Sequence, residues 1–116
     1  MKKTLSAVNV TKLDITNAES SQSFKALLGQ PATTIKGAAI IEEADRETGE
    51  AKQYAYIFAD DGAVFGGNSA TVRRQVENLI DLMQDDEDDT KYGFTVTSAP
   101  TANGREFLSL RIVAVK

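Results

Sequence analysis

The sequence predicts an all-β domain with one helix, folded as a small barrel. Three observations carry this. Three strand-like runs come first, at 33–43, 52–59 and 63–65, each bounded by Gly, Pro, Asn or Asp. One amphipathic stretch follows, Ser69 to Gln84, with Val72, Val76, Leu79, Ile80 and Met83 on one side. Two further period-two runs, 92–98 and 106–115, come last. This order is that of an OB-fold-like, five-stranded Greek-key barrel with its helix between strands 3 and 4. Such barrels are binding platforms, most often for single-stranded nucleic acid.

Each element has its own signal. In residues 1–19, Val8 and Val10, then Leu13 and Ile15, alternate with one slip, which predicts one or two short strands at a sheet edge. Ser20 to Gly29 predicts a short helical turn capped by Ser21 or Ser23, with Phe24, Leu27 and Leu28 on its apolar side. Gly37, in the middle of the first long strand, predicts a bulge or bend that lets one strand serve two parts of a barrel. Asp45 to Glu50 predicts a hairpin loop, and Asp60-Asp61-Gly62 a tight turn. Asn68 or Ser69 should cap the long helix. In the last strand Leu108, Leu110, Ile112 and Ala114 fall on one face, and Phe107, Ser109, Arg111 and Val113 on the other. The whole chain, 1–116, reads as a single OB-like domain, with residues 1–20 as an N-terminal strand or arm and 85–90 as an acidic loop.

Composition narrows the chemistry. There is no cysteine and no histidine, so the commonest metal ligands and the commonest general base are missing. We expect no enzyme, no cofactor and no metal. No apolar run approaches the about 20 residues of a membrane span. The Lys2-Lys3 start is followed by Asn9, Thr11, Lys12 and Asp14 before an apolar stretch forms, so no signal peptide is expected. The expected location is the cytoplasm, with no membrane partner.

The net charge is -4, but the acids are segregated. Five of them form the run Asp85, Asp86, Glu87, Asp88 and Asp89; without it, 13 basic residues face 12 acidic ones. Phosphates respond to local potential, so the barrel need not repel nucleic acid. The acidic run lacks the spaced ligands and central glycine of a calcium loop. It reads as a solvated loop, whose deletion should neither unfold the domain nor weaken binding.

Two sets of residues stand out. Tyr54, Tyr56 and Phe58 alternate along one strand, so their rings share a face. They form either a stacking platform for bases or part of the core. A tyrosine hydroxyl needs water or a partner, which places the two tyrosines at the rim and Phe58 deeper. The second set is Lys36, Lys52, Lys91, Arg105 and Arg111, all on or beside predicted strands. In a barrel several of these would converge on one groove and pair with phosphates; otherwise they are ordinary solvated charge.

Ser23-Phe24-Lys25, the run Ile57 to Phe65, Asn78 to Leu82 and Glu106 to Leu110 together resemble the small single-stranded-DNA-binding proteins of phi29-like phages, which replicate by protein priming. The resemblance spans about residues 21 to 115, and its specificity lies in the order of the segments. It implies an OB-type protein that coats displaced strands during replication without strong sequence preference, with replication proteins as further partners. It also implies tyrosines as stacking residues, for which Tyr54, Tyr56 and Tyr92 are the candidates. The expected nucleic-acid-binding set is therefore Tyr54, Tyr56, Tyr92, Phe107, Lys36, Lys52, Lys91, Arg105 and Arg111. The alternative is a small protein-protein interaction module of a phage or mobile element.

Overall fold

The computed structural model describes residues 2–44, 47–85, 90–100 and 106–115. The chain is mostly β with one main helix. Its strands are β1 (Lys2–Val8), β2 (Gln22–Ser23), β3 (Thr33–Ala44), β4 (Ala51–Ala59), β5 (Val64–Gly67), β6 (Lys91–Pro100) and β7 (Glu106–Val115). A short helix, α1 (Lys12–Asn17), and the main helix, α2 (Ala70–Asp85), complete it. The strands form one curled mixed sheet in the order β2-β5-β4-β3-β6-β7, with β1 beside β3. This is a half-barrel, consistent with an OB-like fold. None of the described helices is long and apolar enough to cross a membrane.

The five predicted strands are β3 to β7. Two more precede them, β1 within the segment expected to be an N-terminal strand or arm and the unexpected β2, so the sheet has seven strands rather than five, and the helix follows the fifth strand rather than the third. The miscount has a physical source. β2 is two residues long and pairs in parallel with β5, too short to carry an alternation. The segment after Asn9 also departs from expectation, because Leu13 and Ile15 lie on a helix. Thr11 and Asp14 close a reciprocal capping box there: Thr11 Oγ1 accepts the Asp14 N–H at 3.1 Å, and Asp14 Oδ2 accepts the Thr11 N–H at 2.9 Å.

Gly37 is where β3 changes partners. The register slips between Ile35 and Gly37, which leaves Lys36 as the bulged residue. Before the bulge, Thr33 and Thr34 pair with β6; after it, Ala38 to Glu43 pair with β1. A Cβ at Gly37 would sit 2.4 Å from the Val8 carbonyl oxygen, so only glycine admits the end of β1 there.

The main core fills the inside of the curl. Phe24, Phe65 and Phe94 form a triangle with centroids 6.0 to 6.3 Å apart, and the α2 stripe Val72, Val76, Leu79 and Ile80 covers it. Burying each ring is worth about 1.5–3 kcal/mol. Ser69 starts α2, its Oγ accepting the Val72 N–H at 3.2 Å. Gln75 fastens the helix to the free edge of β7: its Oε1 accepts the Leu110 N–H at 2.7 Å, and its Nε2 donates to Ser109 Oγ at 2.9 Å. An edge amide that would otherwise invite another strand is thereby satisfied. A second, smaller cluster lies on the opposite face of the sheet, where Ala18, Ala39, Ile41 and Phe58 pack with Ile15, Tyr56 and Val64.

Candidate nucleic-acid interface

The outer face of β4 carries Lys52, Tyr54, Tyr56 and Phe58 in a row. Burial grades along it. Phe58 is 3% exposed, sealed in the second cluster with Ala18 and Ile15, whereas Tyr54 and Tyr56 are half-buried and Lys52 is exposed. Phe58 is thus a core residue of the outer face, and the two tyrosines stand where that core ends. Their ring centroids are 6.4 Å apart and their planes 31° apart.

The neighbours of Tyr56 explain its pose. Its cross-strand partners are Ala39 on β3 and Gly66 on β5. A Cβ at Gly66 would lie 2.7 Å from Cε1 of the ring, so the ring rests directly on the glycine backbone. Small residues on both sides let the ring lie low against the sheet. Tyr54 stands opposite Ile41, and Lys52 stands opposite Glu43. Gly66 was not singled out from the sequence; the signal was the Gly66-Gly67 pair inside a strand, which marks a close approach.

A second gathering forms beside the β3 bulge. Lys36, Lys91 and Tyr92 line one groove together with Asn9, Ile35, Met83 and Thr90, a space of about 190 Å³. The sheet makes this contact possible because Thr34 pairs with Gly93. Tyr92 is half-buried and packs against the main core, so it belongs to the groove wall and not to the Tyr54–Tyr56 row. Both lysines are ion-paired. Lys36 Nζ donates to Asp14 Oδ2 at 2.9 Å, and Lys91 Nζ donates to Asp60 Oδ2 at 2.7 Å. The Thr11 N–H, and next to it Lys36, hold the Asp14 carboxyl below its ordinary value of 3.8. Asp61 is spent on the turn, accepting the Ala63 N–H at 2.9 Å.

Sequence reasoning placed the cations together, and the structure divides them. Lys52 joins the tyrosines, Lys36 and Lys91 share the groove, and Arg111 lies exposed on β7, at the end of the sheet order, opposite Thr95. Arg105, the side chain of Phe107 and residues 86–89 of the acidic run lie outside the described residues.

Alternating rings with a lysine on the outer face of a curled sheet are features also found in the class of proteins that hold single strands by base stacking and phosphate contacts. Within that class the chain belongs to the phage single-stranded DNA-binding protein family of phi29 type, whose family model matches residues 2–113. No curated protein and no solved structure matches it. Family membership supports single-stranded DNA as the partner.

Proposed function

We propose that this protein coats displaced single strands during phage DNA replication, without sequence preference and without catalysis, in the host cytoplasm. The half-barrel is read as an OB-type barrel in which β3, β4, β5, β6 and β7 are the five barrel strands and α2 is the helix between the third and fourth of them. The observation that carries the reading is the Tyr54–Tyr56 pair, half-exposed on the outer face of β4 with Lys52 at its end. Every base has a π-face, so two partly exposed rings stack on any sequence, at about 1–3 kcal/mol per base. Lys52, and Lys36 and Lys91 beyond the bulge, supply charge for the phosphates, which makes binding salt-dependent.

Titration with oligo-dT tests this, read by quenching of tyrosine fluorescence at low and high salt. Quenching that weakens as salt rises is the expected result. Absence of quenching, with an intact fold, would favour a protein-binding role for the same face.

A further inference from the structure

We infer that the groove beside the β3 bulge is a phosphate subsite whose two lysines the free protein neutralises with its own carboxylates, Asp14 and Asp60. The inference rests on the single-strand reading above and deepens it. Two lysines from distant parts of the chain, Lys36 and Lys91, line this groove, and among the described residues no carboxylate does. Asn9 and Thr90 add a side-chain amide and a hydroxyl, both able to donate to an anion. The volume, about 190 Å³, is below the roughly 300 Å³ at which drug-sized ligand pockets begin, and suits a phosphate with its sugar.

The carboxylates come from outside the groove. Asp14 is brought by α1 and Asp60 by the turn after β4. They neutralise one lysine each. Both pairs are open to solvent: the side chains are 46% and 22% exposed for Lys36 and Asp14, and 54% and 38% for Lys91 and Asp60. Exposed ion pairs of this kind are weak, so an incoming phosphate exchanges with them readily. Phosphate binding at Lys36 or Lys91 therefore replaces an internal anion, and the strength of the internal pair subtracts from affinity. Asp14 and Asp60 thereby set how tightly the protein holds a strand.

The test is a double-mutant cycle on oligo-dT affinity. Asp14→Asn and Asp60→Asn should each tighten binding, by about 1.5- to 5-fold, the range that an exposed ion pair is worth. Asp14→Asn keeps an oxygen that accepts the Thr11 N–H, so the cap of α1 survives. In a Lys36→Gln background the Asp14→Asn gain should vanish, and in a Lys91→Gln background the Asp60→Asn gain should vanish. Asp81→Asn, on the exposed side of α2, controls for the loss of one negative charge at a distance. Gains that persist in the glutamine backgrounds, or that Asp81→Asn matches, would overturn the subsite. A wild-type protein that does not bind oligo-dT at all would instead overturn the single-strand reading beneath it.

Discussion

Along β4 the two faces bury different things. The inner face carries Ala55, Ile57 and Ala59, all at or below 2% exposure, and faces the phenylalanine triangle and α2. The outer face carries Phe58, Tyr56, Tyr54 and Lys52, and passes from sealed to open along the strand. Small and aliphatic side chains suffice inside, where α2 and three phenylalanines supply the volume. Outside there is little cover: α1 and the 3₁₀ turn Ala18–Ser20 shield Phe58 and stop before Tyr54. One strand therefore serves as core and as the proposed binding surface, and the N-terminal segment sets the boundary between the two. An aromatic row alone does not tell stacking ring from core ring; its cover does.

The largest effect that sharpens this contrast is at Phe58. Truncating it to alanine empties the second cluster beneath α1, and should cost about 3–5 kcal/mol of stability. For a domain of this size that is a fall in Tm on the order of 10–30 °C. Affinity of the folded fraction for single strands should stay unchanged. Weaker binding at temperatures where the variant is fully folded would mean that the boundary lies further along the strand.

The tyrosines come next. Tyr54→Ala and Tyr56→Ala should each weaken binding by about 1–3 kcal/mol. They should differ in stability. Tyr56 rests on Gly66 and packs with Phe58 and Val64, so its removal lowers Tm as well, whereas Tyr54 lies outside that cluster and its removal should leave Tm nearly unchanged. Oligo-dT titration and melting on the same samples separate the two. A large Tm loss for Tyr54→Ala with unchanged affinity would place that ring in the core.

The strand row and the helix stripe are legible because each is local: alternation and 3.6-residue spacing depend only on near neighbours. Five of seven strands and α2 follow from such patterns. α1 was hidden because Val8, Val10, Leu13 and Ile15 mimic a strand, although Thr11 and Asp14 at capping-box spacing were the contrary signal. The groove could not be read, since Lys36 and Lys91 meet only through the pairing of Thr34 with Gly93. Nor could its charge balance, since Asp14 and Asp60 reach the lysines from different elements.

Arg111 marks how far the interface extends. It is exposed on β7, away from the tyrosine row. If a strand passing Tyr54 and Tyr56 also crosses β7, Arg111→Ala should lower the salt slope by roughly 0.7 log unit per log unit of salt, one phosphate's worth. Stacking should be untouched, so tyrosine quenching at saturation keeps its amplitude. An unchanged slope would confine the interface to β4 and the bulge.

The smallest effect concerns Asp14, and its sign is fixed by the direction of its pKa. The Thr11 N–H and Lys36 hold the carboxyl below 3.8 in the folded protein, whereas an unfolded aspartate titrates near about 3.9. Above that value Asp14 is ionised in both states and its cap and ion pair contribute fully. As pH falls through the unfolded value and then the lower folded one, the contribution is lost. Wild type should therefore melt above Asp14→Asn at pH 6, by a small margin because the pair is exposed, and the two curves should converge as pH drops below about 4. Salt should narrow the margin at pH 6 by screening the Lys36 pair. The same variant should hold single strands more tightly, so stability and affinity move in opposite directions at one residue. A margin that stays constant from pH 6 to pH 2 would show that Asp14 acts through packing of α1 and not through its charge, and would remove the electrostatic basis for its competition with phosphate.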